Sequence, residues 1–270
     1  MKDAFIVTLL SLAPRKRGAR TMGWLARTRT SKRMVRWFVH AYGVDLSEAS
    51  RALSDYETLE DLFTRTLKPG VRPVDPAPNA IVSPVDGKVA FVGPTQKGKV
   101  EIAPKRFMKV SDLLAEKVSG EHEAVVIYLS PKDYHRVHVP REGKVLSWKY
   151  VPGTLWPVFP AAVRRVKGLF ERNERVCVTL ETTQGPLHAV LVGAFGVGRI
   201  TLDFCDIVTN TGGRAKVQKL DDGPDLARGE GLGVFHLGST VVLVAPPGRW
   251  KWNVKAGDVV RCGKSIGEAL

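Results

Sequence analysis

Gly238 and Ser239 lie in the stretch Gly233-Val234-Phe235-His236-Leu237-Gly238-Ser239-Thr240, and their adjacency alone suggests a reaction. A serine hydroxyl reaches the carbonyl carbon of the peptide bond before it, and a glycine on the far side tolerates the backbone angles that attack requires. This is the geometry of an N-to-O acyl shift, the first step of self-cleavage at a serine. The same pair, followed by the apolar run Val241–Val244, reads equally as a tight turn before a buried strand.

Three other side chains have chemistry to offer. Asp86 lies in Ser83-Pro84-Val85-Asp86-Gly87, a turn signal between apolar segments. His135 and His138 lie in Asp133-Tyr134-His135-Arg136-Val137-His138-Val139-Pro140; a spacing of three puts them on opposite faces of an ideal strand. Either the backbone bends there or the two imidazoles do different jobs. A serine, a histidine and an aspartate are the parts of a nucleophile, a base and an orienting group. Leu237 and Val241 exclude the G-x-S-x-G elbow of α/β-hydrolases, and the glycines at 229, 231 and 233 do not make a dinucleotide or phosphate loop. No metal is expected, because H-x-x-H lacks the helical zinc spacing and Cys177, Cys205 and Cys262 are far apart. Three such cysteines suit a reducing compartment.

These residues need a scaffold, and 270 residues with 44% hydrophobic and 8% aromatic content can build one. The net charge is +14, and residues 1–45 hold ten Lys/Arg against Asp3 and Asp45. That bias points to a polyanion. Nucleic acid is disfavoured, since no recognition motif appears and aromatics are not interleaved with a basic groove. The apolar run 4–13, ended by Pro14, is too short to span a bilayer and lacks the order of a secretory signal. Trp24 to Tyr42 reads as a helix with Arg29, Lys32, Arg33 and Arg36 on one face and Met34, Phe38, Ala41 and Tyr42 opposite. With Trp24 and Trp37 this resembles a helix lying in a membrane interface, Met34, Trp37 and Phe38 being its apolar contacts. The competing reading docks the helix on the protein's own core. Each basic residue near an anionic leaflet contributes about 1 kcal/mol, so peripheral attachment is expected.

The fold class expected is α+β, with N-terminal amphipathic membrane-binding helices followed by a mostly β catalytic domain. Residues 1–68 would be the helical, basic region, with a short helix over Tyr56–Leu67, and 69–270 the β-rich part, entered through the prolines at 69, 73, 76 and 78. Strands are expected at Gly87–Val92, Ala124–Leu129, Val145–Val151, Val176–Glu181, Leu187–Val192, Gly198–Leu202 and Thr240–Ala245, with a hairpin at Gln184-Gly185 and a polar surface loop over 212–230.

Ser83–Gly87, Asp133–Pro140 and Leu237–Thr240, in that order, resemble the phosphatidylserine decarboxylases of the bacterial membrane type. Val71–Asp75, Tyr150–Gly153, Phe170–Val176 and the basic N-terminus extend the resemblance over nearly the whole chain, although the loop before Gly238 is shorter than the family pattern. The resemblance implies that Asp86, His138 and Ser239 form the self-processing triad, His138 taking the Ser239 proton and Asp86 orienting the ring. Attack on the Gly238 carbonyl would give an ester, then dehydroalanine, then a pyruvoyl group at residue 239. That group forms a Schiff base with the substrate amine and accepts the electrons released as carbon dioxide leaves. His135 would be the proton donor to the resulting carbanion equivalent. Arg136 and Arg141 are candidates for the substrate phosphate or carboxylate. The product would be phosphatidylethanolamine, made by a homodimer of cleaved protomers at the cytoplasmic face of the inner membrane. A serine-type lipid hydrolase without self-cleavage and a non-catalytic membrane-binding module remain as alternatives.

Overall fold

The computed structural model describes residues 21, 23–103, 106–194, 199–236 and 239–270. The apolar run 4–13, Leu237 and Gly238 lie outside the described residues. Residues 23–27 are helical, and a 3-10 turn at Arg29–Ser31 leads into α1 (Lys32–Tyr42) and α2 (Leu59–Phe63). Then come β1 (Ala80–Val82), β2 (Gly87–Pro94), β3 (Lys99–Ala103), β4 (Arg106–Lys109) and helix α3 (Val110–Leu114). Strands β5 (Glu123–Leu129), β6 (Arg136–His138) and β7 (Gly143–Val151) precede helices α4 (Pro160–Arg165) and α5 (Leu169–Arg172). The remainder is β8 (Arg175–Thr182), β9 (Gly185–Gly193), β10 (Ile200–Leu202), β11 (Cys205–Val208), β12 (Lys216–Lys219) and β13 (Asp225–Leu226). It ends with β14 (Gly231–Phe235), β15 (Ser239–Ala245), β16 (Trp250–Trp252), β17 (Val259–Val260) and β18 (Ser265–Ala269). The chain is mostly β, as expected.

The large sheet runs β12-β7-β8-β9-β15-β5-β2-β17, with β13 also on β7; a second runs β11-β10-β14-β6 and a third β1-β18-β16. β15 is interior, pairing antiparallel with β9 on one side and β5 on the other. Its seven residues are all buried, which explains why it reads as an unbroken apolar, β-branched run. Alternation sends Val241, Leu243 and Ala245 into the core under the smaller sheets, while Val242 and Val244 enter a second core under α3, α4 and α5. Ser239, two residues before Val241, lies on the side of the smaller sheets.

A third core belongs to the helical N-terminus: Ala26, Val35, Phe38, Val44, Tyr56, Leu59, Leu62 and Phe63. It corrects the N-terminal reading in two respects. The helix expected from Trp24 is interrupted at Thr28, whose hydroxyl bonds Leu25 O at 2.6 Å, and Ser31 caps back to Ala26 O at 2.9 Å. Phe38 is buried against Phe63, ring centroids 6.1 Å apart, and so leaves the membrane-facing set. Met34, Trp37, Trp24, Leu25 and Tyr42 stay exposed, Trp37 at 58%. The loop expected over 212–230 instead contributes β12 and β13 to the edge of the large sheet.

Candidate active site

The two larger sheets are joined by two chain crossings whose described ends pair with each other. β5 leaves the large sheet at Leu129, opposite Ser239, and the chain re-enters the second sheet at β6. β14 leaves the second sheet with Phe235 N–H donating to His135 O at 3.0 Å, and β15 begins at Ser239. Residues 130–135 therefore connect Leu129, which pairs with Ser239, to His135, whose carbonyl accepts from Phe235 N–H. The bend between the sheets resolves the question raised by the histidine spacing: His135 lies in the crossing, His138 inside β6.

Ser239 is fully buried, and its Oγ has no hydrogen-bond partner among the described residues. His135 is also fully enclosed, its ring 4.0 Å from that of Phe63. Its Nδ1 donates to Asp133 O at 2.8 Å, while Nε2 is buried and unpartnered. Burial pushes its pKa down to about 3, the Asp133 carbonyl opposing only part of this. The resemblance implied a proton donor at His135; here Nδ1–H is committed to Asp133 O, which leaves Nε2 an acceptor.

His138 donates from Nδ1 to Gly229 O at 2.9 Å and accepts at Nε2 from the Tyr134 hydroxyl at 3.1 Å. Burial lowers its pKa as well, and burial raises that of Tyr134 to about 12, so the phenol keeps its proton. Gly229 has φ of 83°, and a Cβ there would meet Val74 Cγ2 at 2.3 Å, so only glycine presents this carbonyl to the ring. Asp86, in the bend just before β2, accepts from Arg72 Nε at 2.9 and 3.2 Å, from Arg72 Nη2 at 2.6 Å and from Cys262 N–H at 2.8 Å. Arg72 also reaches Glu48 at 2.7 Å. His138 N–H donates to Pro84 O at 2.8 Å, so the backbone ties the aspartate turn to β6. Asp86, His138 and Ser239 are not hydrogen-bonded to one another. Arg72 is bonded to Asp86 and Tyr134 to His138 instead, and neither stood out in the sequence as a site residue; Arg72 in Val71-Arg72-Pro73 carries no local signal of its ion pair.

Two cavities flank this network. One of about 290 Å³ is lined by Lys68, Arg72, Tyr134, Arg136, His138 and Asp203 among others. The other, about 240 Å³, includes Arg65, Arg72, Asp86, Lys132, Tyr134 and Arg261. Arg136 lines the first, with Nε on Thr64 O at 3.1 Å. Arg141 does not reach either: it is buried, with Nη1 on Pro78 O at 2.5 Å and Ala80 O at 3.2 Å, and is withdrawn as a substrate ligand. Among the described residues no cluster of metal-ligating side chains occurs.

The phosphatidylserine decarboxylase family model matches residues 59–268. The phosphatidylserine decarboxylase proenzyme of Marinobacter nauticus is 38% identical over 99% of this chain and 99% of its own. That of Anaeromyxobacter sp. strain K is 38% identical over the whole of both chains, and that of Myxococcus xanthus 37% identical over 99% of both. With its motifs at the junction of two sheets and relatives aligned end to end, the chain belongs to the phosphatidylserine decarboxylase family.

Proposed function

We propose that this chain cleaves itself between Gly238 and Ser239 and then decarboxylates phosphatidylserine to phosphatidylethanolamine with a pyruvoyl group derived from Ser239. The observation that carries the reading is a serine wholly enclosed at the first residue of an interior strand, its hydroxyl unpartnered. A nucleophile for an external ester must be reachable from outside. In the uncut chain the enclosed hydroxyl has only backbone to attack, which favours self-processing over a lipid hydrolase; cleavage is then the step that opens residue 239 to the substrate.

The processing chemistry balances within the chain. Ser239 Oγ bonds to the Gly238 carbonyl carbon, its proton passes to a base, and the C–N bond breaks as the nitrogen of residue 239 takes a proton. A base then removes the Ser239 α-proton, the Cβ–Oγ bond breaks, and Gly238 leaves as a carboxylate. Dehydroalanine at position 239 adds water and loses ammonia. We assign the base to His138, whose proton sits on Nδ1 against Gly229 O and whose Nε2 exchanges the Tyr134 hydroxyl for that of Ser239. Asp86, locked by Arg72, is the fixed negative charge nearby.

The buried, partnerless Ser239 Oγ fits a residue that is to be converted, and the pyruvoyl group supplies a 2-keto acyl electron sink for the carboxylate of a bound amine. His135, neutral with Nε2 an open acceptor, is assigned to hold the substrate ammonium by a charge-assisted hydrogen bond. Arg136 beside His138 is placed for the anionic headgroup. Exposed Trp24, Met34 and Trp37 with Arg29, Lys32, Arg33 and Arg36 form the surface for an anionic leaflet. Among the described residues no helix is long and apolar enough to cross a membrane. A peripheral homodimer on the cytoplasmic side completes the reading.

The test compares wild type with Ser239→Ala by denaturing gel and by carbon dioxide release from phosphatidylserine vesicles. The wild type should lose its 29.6 kDa chain and gain a C-terminal fragment lacking a free amine, with activity. The variant should do neither. A folded wild type that stays intact sinks the proposal.

A further inference from the structure

Helix α2 sits in the N-terminal helical unit, yet residues 60–65 reach both chain crossings at the site. The Phe63 ring packs on that of His135 at a 47° tilt, Arg65 Nη2 donates to Lys132 O and Asp133 O at 2.8 and 3.2 Å, and Thr64 O accepts from Arg136. On the other crossing Glu60 makes the contact. Its Oε1 accepts from His236 Nδ1 at 2.7 Å and lies 3.2 Å from Arg199 Nη1, and the Glu60 and His236 side chains are each only 13% exposed. His236 is the last described residue before Ser239. Its N–H donates to Arg199 O at 2.9 Å, and its Nε2 is 3.2 Å from Thr201 Oγ1. Its ring and backbone are thus fixed from three directions, and among these partners Glu60 is the one contributed by the N-terminal helical unit.

We infer that Glu60 is a positioning residue for self-processing: through His236 it sets where β14 ends, and so the angle at which the chain enters Ser239. This rests on the self-cleavage reading above. Intramolecular attack is sensitive to such placement, since a displacement of about 1 Å costs on the order of a hundredfold in rate. The carboxylate suits the task because a charge-assisted bond holds a ring more firmly than a neutral one. The same contact makes processing conditional on α2 being docked, so the N-terminal unit is in place before the chain is cut.

The test is a pulse–chase of the full chain in cell-free synthesis, following loss of the uncut band. Stabilities are measured in the Ser239→Ala background, where every variant stays whole. Glu60→Ala should slow cleavage by about tenfold or more, and Glu60→Gln, which keeps an acceptor oxygen, should recover part of the loss. His236→Gln should slow it too, and the double variant Glu60→Ala/His236→Gln should be no slower than the slower single one. Leu62→Ala, on the same helix but facing its core, is the control for simple destabilisation. Cleavage of Glu60→Ala at the wild-type rate overturns the inference, as does equal slowing in Leu62→Ala at an equal fall in Tm. A wild type that never cleaves removes the self-processing reading itself, an outcome distinct from both.

Discussion

Asp86 and Arg72 depend on each other. Their side chains are each 12% exposed, and the guanidinium satisfies Asp86 and Glu48 at once, which raises its own pKa and lowers that of Glu48. Removing one member of such a pair leaves a nearly buried charge without a partner. Arg72→Ala is therefore expected to cost about 3 kcal/mol in denaturant unfolding, and Arg72→Lys to restore only part, because an ammonium cannot present Nε and Nη2 together. Histidines make the second residue-scale prediction. Burial pushes His135 to about 3 and His188 to about 4 and also lowers His138, against a reference of 6.5. Between the reference and the folded values the unfolded chain binds more protons. Stability is thus complete above about pH 6.5 and falls as pH drops, by up to about 1.4 kcal/mol per pH unit for each histidine. Urea titrations of the uncut chain at several pH values check this, and His188→Gln should flatten the slope.

At the scale of elements, α1 separates two roles along one helix. Val35 and Phe38 face its own core while Met34 and Trp37 face outward. Phe38→Ala should lose about 3 kcal/mol, whereas Trp37→Ala should leave Tm near wild type and weaken co-sedimentation with anionic vesicles. The interior strands were legible to within about two residues, because β-branched runs buried on both faces leave an unmistakable pattern. β12 was not: all four of its residues are exposed, so no alternation marks it, and it is a strand only because β7 offers an unpaired edge. α2 is shorter than its expected span since Tyr56 is already extended and Leu67 bridges to Ala49. The site shows the same division. The residue types and order of Asp86, His135, His138 and Ser239 could be read directly, while Arg72, Tyr134 and Glu60 act through contacts that the fold alone brings about. Glu60 meets a histidine 176 positions away.

For the whole molecule, the proposed attachment to an anionic surface by a charge of +14 weighted to one end should weaken with salt. Vesicle binding should drop as ionic strength rises from about 0.05 to 0.5 M, with a residual share from the exposed tryptophans; binding insensitive to salt would mean that the basic residues do not contribute. Cutting before Ser239 has a further consequence. The segment 239–270 would supply an inner strand of the large sheet through β15, its edge through β17, and both partners of β1's sheet, β16 and β18. A new chain end would thus open in the middle of a woven fabric, and the two polypeptides would stay interlocked without any covalent link. They should migrate as one species under native conditions and part only on denaturation. The break would release no fragment; it would leave a reactive terminus at residue 239, held in register by strands of both polypeptides.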